Sequence, residues 1–85
     1  MKRVHIGNSP ANFHSLRDFR RLDDALAYMW AMANTPQSAP QKCWLWQGLD
    51  GWLTNSHMTG KPYPATLAKR IEEFIEEDIQ ATREA

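Results

Sequence analysis

One cysteine and three histidines are the side chains that could supply a thiol–imidazole pair or soft metal ligands. They are Cys43, His5, His14 and His57. A tetrahedral metal site needs three or four converging ligands, and neighbouring ligands on a helix or knuckle are spaced two to five residues apart. None of these four residues has that spacing. The sequence therefore predicts no metal site.

Cys43 and His57 could still meet as nucleophile and base if a hairpin placed them on neighbouring strands. The shorter of two plausible turns puts them on opposite faces of that hairpin. The apolar neighbours of Cys43 would also raise the pKa of its thiol, which favours a buried structural cysteine. Glu72 and Glu73 diverge on a helix, and no glycine-rich phosphate loop is present. We therefore expect neither an enzyme nor a cofactor-binding protein.

The size and charge of the chain exclude several other classes. Its 85 residues suit a single domain spanning 1–85, and ten basic residues balance ten acidic ones, so no global field attracts nucleic acid or an anionic membrane. A single cysteine excludes an internal disulfide. The start of the chain lacks the apolar run of a signal peptide, and no stretch approaches the roughly 20 apolar residues of a membrane span. The expected location is the cytoplasm.

A hairpin is predicted over residues 43–57. It contains Cys43 and His57 and three of the four tryptophans. The turn signal at residues 50–51 allows a loop of two residues, or of four from 48 to 51. Both loops put Trp44, Trp46, Leu53 and Asn55 on one face, and Cys43, Leu45, Trp52, Thr54 and Ser56 on the other. The hairpin is thus apolar on both faces. Because so small a protein covers only one sheet face with its own helices, the other face is a candidate contact surface.

Helices and one further strand complete the predicted fold. Alternating residues predict a strand over 2–6, and a run of helix formers after Asp23 predicts a helix near 23–34. A charged helix with one apolar stripe is predicted over 65–83. Residues 13–21 fit either a helix, with Ser9 as its N-cap, or a strand. The expected fold class is α+β, with a small antiparallel sheet packed on one face by two helices.

Two further surfaces are candidates for partner contact. Tyr28 and Met32 form an apolar back on the first helix, to be covered either by residues 13–21 or by a partner or second copy. The last helix carries like-charged side chains four residues apart. A basic partner would relieve the repulsion between them, but they could equally form a solvated face. These are Glu72, Glu73, Glu76 and Glu77.

The features together predict a non-enzymatic protein-binding module that acts by occluding a partner's surface. Its size and lack of motifs are typical of the accessory inhibitors and adaptors of phages and mobile elements. The predicted partner-binding residues are Trp44, Trp46, Leu53, Tyr28, Met32 and the four glutamates. The partner is expected to be another protein, basic or nucleic-acid-binding, and a homodimer is a further option.

A single-stranded nucleic-acid-binding protein is the alternative interpretation. Tryptophans on a sheet stack on unpaired bases, while arginines neutralise phosphates. The residues that would do this are Arg3, Arg17, Arg20, Arg21, Trp44 and Trp46, with Lys42 as a further cation. The zero net charge and the acidic last helix weaken this alternative.

Overall fold

The structure, a computed structural model that describes residues 1–36 and 39–84, contains a four-stranded antiparallel sheet and two long helices. In chain order the elements are β1 (Lys2–Gly7), β2 (Phe13–Phe19), α1 (Leu22–Ala33), β3 (Cys43–Trp46), β4 (Trp52–Thr54) and α2 (Ala68–Glu84). The strand order across the sheet is β2-β1-β3-β4. Both helices pack on one face of the sheet, so the predicted α+β fold is confirmed.

Residues 13–19 form an edge strand, which settles the alternatives that the sequence left open. Ser9 caps a turn rather than a helix, because its hydroxyl accepts a hydrogen bond from the backbone N–H of Asn12 at 2.9 Å. This turn lets β2 fold back on β1, with Val4 opposite Arg17 and Lys2 opposite Phe19. The sheet therefore gains a strand beyond those predicted. Once it is formed, β1 has hydrogen-bonded neighbours on both sides.

The two helices begin slightly away from their predicted positions. α1 has Arg21, not Asp23, as its N-cap residue, while Asp23 and Asp24 lie in the first turn, where the positive end of the helix dipole favours carboxylates. α2 begins at Ala68 instead of residue 65, after a turn in which the Leu67 N–H bonds to the Pro64 carbonyl. No helix within the described residues is both long and apolar enough to cross a membrane.

The predicted hairpin register is wrong by one residue. The loop has five residues, 47–51, because a short 3-10 turn over Gly48–Asp50 adds one residue to the longer predicted loop. Since side chains alternate along a strand, this single residue turns β4 over. Leu53 now lies opposite Leu45 and Trp52 opposite Trp46.

The corrected register separates the side chains of the hairpin by type. Leu53 and Asn55 lie on the helix side with Cys43 and Leu45, not beside Trp44 as predicted. The face turned away from the helices, called the open face below, receives the tryptophans and Thr54. It is lined by Trp44, Trp46 and Trp52. The prediction that the hairpin is apolar on both faces is confirmed, with all three tryptophans on one of them.

Asn55 joins the sheet to the helix layer. Its side chain is 1% exposed. Its Oδ1 accepts a hydrogen bond from the Cys43 N–H at 2.9 Å. Its amide nitrogen donates to the carbonyls of Met29 in α1, at 2.9 Å, and of Gln41, at 3.0 Å. One buried amide thus satisfies three backbone groups, one in α1 and two at or just before the start of β3, and no water is needed to do so.

Candidate functional site: an aromatic surface on the open face

Four rings contact one another in series across the open face. The Phe13 and His5 rings have centroids 4.4 Å apart, His5 and Trp52 are 5.0 Å apart, and Trp52 and Trp46 are 5.3 Å apart. These four residues are called the aromatic surface. They come from all four strands, β2, β1, β4 and β3, so the assembled sheet is needed to form it.

The two tryptophans of the aromatic surface leave much of their rings in contact with water. Trp46 is 55% exposed and Trp52 is 39% exposed. A shallow groove of about 550 Å³ runs beside them and is also lined by Arg3 and His5. Large aromatic side chains next to a concavity are the typical centre of a protein–protein interface. Trp52 was assigned to the opposite face by the sequence, because the loop length was misjudged.

Two internal hydrogen bonds hold the rings of this face in place. The Trp44 indole N–H donates to the Gly7 carbonyl at 3.0 Å, so this side chain supports the surface and has its one donor already used. His5 Nδ1 lies 2.9 Å from the Pro10 carbonyl. A carbonyl only accepts, so Nδ1 carries the hydrogen. In the neutral ring Nε2 is left as an acceptor.

The charged groups on the open face largely neutralise each other. Arg3 Nε and Nη2 donate to the two carboxylate oxygens of Asp18, at 2.8 Å and 3.1 Å. This hydrogen bonding by the Arg3 guanidinium lowers the pKa of the Asp18 carboxyl. Lys2 and Asp50 also line the groove beside the two tryptophans, and Lys42 precedes β3. The groove beside the aromatic surface therefore carries charges of both signs, with its arginine already paired, and among the described residues no row of unpaired cations follows it.

The arginines predicted to bind phosphates are not brought together. Arg17 lies on the helix side of β2, where its guanidinium is 5.0 to 5.3 Å from the ring centroids of Phe19, Tyr28 and Phe74. It also donates to Glu77 at 2.7 Å, which raises the pKa of Arg17. Arg17 therefore joins β2 to both helices. Arg20 and Arg21 are exposed in the turn between β2 and α1.

The apolar back of α1 is covered by the protein itself. Tyr28 is 8% exposed and Met32 is 4% exposed, so neither is available to a partner. The Tyr28 ring packs 5.4 Å from both Phe19 and Phe74. Of the two alternatives that the sequence left open, intramolecular cover is the one observed, supplied by β2 and α2.

The glutamates of α2 are exposed on the helix side of the protein, opposite the aromatic surface. Glu77 pairs with Arg17, and Glu73 lies 3.4 Å from Arg70, which also contacts Asp24 at 3.3 Å. The Gln80 amide donates to Glu76 at 2.8 Å. Cations from β2 and α2 thus offset part of the like-charge repulsion. A single flat partner could not touch the glutamates and the tryptophans at once.

Cys43 lies in the core, away from His57. Its side chain is buried under α1, and burial raises the pKa of the thiol to about 12. His57 is exposed in a short 3-10 turn over Ser56–Met58. Within residues 1–36 and 39–84, no group of three His, Cys, Asp or Glu side chains is arranged to hold a metal ion.

We expect the stability of the protein to fall as the pH rises above about 9, the usual pKa of a thiol. The unfolded thiol loses its proton near that value, whereas the folded one keeps it to about pH 12. The unfolded state therefore binds fewer protons in this window. The Cys43 thiol alone should lower the free energy of unfolding by up to about 1.4 kcal/mol per pH unit. Urea denaturation at increasing pH measures it.

The matched control for this prediction is Cys43→Ser, which removes the titrating thiol. Its stability should fall less steeply over the same pH window than that of the wild type. Tyr28, whose pKa is raised to about 12 chiefly by burial and to a lesser extent by Cys43, remains in both proteins, so most of its contribution is common to the two profiles. Parallel pH profiles for the two proteins would contradict the prediction.

Comparison with protein-family models, with curated proteins and with solved structures finds no match for this chain.

Proposed function

We propose that this protein is a non-enzymatic protein-binding module of the cytoplasm, an inhibitor or adaptor that acts by covering part of a partner's surface. The aromatic surface is the proposed contact region, with Trp46 and Trp52 at its centre. The observation that carries the proposal is the unbroken series of four rings on the open face.

The energetics of this surface support a protein partner. Exposed tryptophans beside a groove give large buried areas on binding and are enriched among the residues that dominate interface energies. The Arg3–Asp18 pair and the opposite charges of Lys2 and Asp50 leave little net charge beside the rings, which suits an apolar centre with a polar rim. The residues Leu53, Tyr28 and Met32 do not belong to this contact region, because they pack toward the core.

Replacing both Trp46 and Trp52 with alanine is expected to lower partner affinity at least roughly tenfold while the protein stays folded. Both rings are partly exposed, so the free energy of unfolding should fall by only about 1–2 kcal/mol. A tagged pull-down from lysate of the native host, read by mass spectrometry, identifies the partner. Titration of that purified partner then measures the affinity, and circular dichroism in urea measures the stability.

The control is Glu72→Ala together with Glu76→Ala, which alters the opposite side of the protein. This variant should bind the partner as the wild type does. If it loses binding while the double tryptophan variant keeps it, the glutamates of α2 form the contact region and the aromatic surface does not.

Binding of single-stranded nucleic acid is the second candidate function. One observation favours it, namely that the acidic helix α2 lies behind the sheet and so would not face a strand that crosses the aromatic surface. Stacking on Trp46 and Trp52 would then supply the affinity, with Lys2 and Arg3, which line the groove beside these rings, placed to contact the phosphates. Nuclease treatment of the pull-down separates the candidates. An oligonucleotide complex that weakens steeply with salt would support this one.

A further inference from the structure

The edge strand β2 has an unpaired side. It is seven residues long and is hydrogen-bonded only to β1, and its central Leu16 is 45% exposed on the open face. No backbone hydrogen bond in the described chain joins residues 14–18 to a loop or a helix. The opposite edge, β4, has only three residues. A long edge strand is a template on which another strand can pair.

A second copy of the chain can pair with β2 only in a few registers. If a two-fold axis perpendicular to the sheet relates the copies, residues that face each other must lie on the same face of the sheet. Side chains alternate, so the axis has to pass through a residue and not between two residues. Near the middle of β2 the possible centres are Ser15, Leu16 and Arg17.

Charge and size select one of these three registers. A centre at Arg17 would place two guanidinium groups directly opposite each other, which is destabilising. A centre at Ser15 would place Leu16 opposite His14. A centre at Leu16 pairs the two leucines, places the small Ser15 opposite the long Arg17 and places His14 opposite the carboxylate of Asp18. This last register is the one in which β2 is complementary to itself.

We propose that two copies of this protein pair antiparallel along β2, with the two-fold axis at Leu16, to form an eight-stranded sheet. The irregular register between Ile6 and Gly7 leaves His14 without a partner on β1 and limits the new ladder to residues 14–18. Both aromatic surfaces then lie on the same side of the combined sheet. Five residues from each copy form a small interface, so the dimer is weak and depends on protein concentration.

Disulfide trapping tests the register directly. In the proposed dimer the two copies of a Leu16→Cys variant face each other across the strands, at a separation that a disulfide can span. Ser15→Cys is the matched control, since residue 15 faces Arg17 in this register. Cys43 is buried and therefore does not compete with the introduced cysteine for disulfide formation. Under mild oxidation, the Leu16→Cys dimer should form roughly tenfold faster than the Ser15→Cys dimer.

Sedimentation equilibrium of the unmodified chain tests the dimer itself. The average mass should rise from monomer toward dimer as the concentration increases. In this register residue 14 of each copy faces Asp18 of the other. His14→Asp therefore sets two carboxylates opposite each other on both sides of the two-fold axis, and it should raise the dimer Kd roughly five- to tenfold. His57→Asp, the same change far from β2, should leave it unchanged. A monomer mass at every concentration would overturn the proposal, and faster trapping through Ser15→Cys would overturn the register.

Discussion

Replacing Asn55 with alanine is expected to lower the free energy of unfolding by about 3 kcal/mol, with no change at the protein surface. The amide is the hydrogen-bond partner of the Cys43 N–H and of the Met29 and Gln41 carbonyls. A buried group that loses its partner costs about 1–3 kcal/mol, and the Cys43 N–H would have no replacement on its own strand. Urea denaturation followed by circular dichroism measures the loss.

Two further variants make the test specific to this amide. Asn55→Asp keeps an acceptor for the Cys43 N–H but sets an oxygen against two carbonyls, so at neutral pH it should be at least as destabilising. Asn8→Ala removes an exposed side chain of the same type and should change stability by less than about 0.5 kcal/mol. If Asn55→Ala loses less than about 1 kcal/mol, water replaces the amide and Asn55 does not hold the layers together.

Replacing Gly7 with alanine is expected to cost about 2–4 kcal/mol, because the new methyl group has no space. A Cβ on Gly7 would lie 2.4 Å from the Cα of Phe13 and 2.7 Å from the carbonyl oxygen of Asn12. Both atoms belong to the backbone and cannot rotate away. The β1–β2 hairpin would have to open at this point, and urea denaturation would record the loss of stability.

The matched control is Gly60→Ala, which separates steric overlap from backbone strain. Gly60 has a φ of +73° and open space around it, so alanine there costs only about 1 kcal/mol for the left-handed conformation. Gly7→Ala should also displace the Phe13 ring and the carbonyl that Trp44 binds, which would change the tryptophan fluorescence. Equal losses for the two variants would contradict the steric explanation.

The sequence predicted the helices and the hairpin because their signals are local. Helix formers run without a break through α1, and the apolar stripe of α2 includes Ile71 and Phe74, which are fully buried. The residues of β2 gave no such local answer. Phe13, Leu16 and Phe19 are three apart, as on a helix, and only pairing with β1 decides that they form a strand.

The candidate site was harder to predict, since it depends on loop geometry and on contacts distant in sequence. Gly48 and Gly51 both adopt positive φ around the 3-10 turn, and this conformation adds the residue that brings Trp52 to the open face. Nothing in the sequence near His5 shows that its ring will contact Phe13. Arg17 was predicted to bind phosphate because it is a cation. Its actual partner, Glu77, lies sixty residues away and could not be recognised from the local sequence.

The ring cluster that Arg17 covers has a consequence for how the chain folds as it is made. Phe19 and Tyr28 are sealed by Phe74, which is synthesised much later. At the usual rates of translation the ribosome needs several seconds, at about 5–20 residues per second, to pass from Tyr28 to Phe74. During that delay the nascent chain holds two aromatic side chains without their cover. Stable folding therefore waits for the last helix, and a chaperone that binds exposed aromatic segments has its opportunity before α2 emerges.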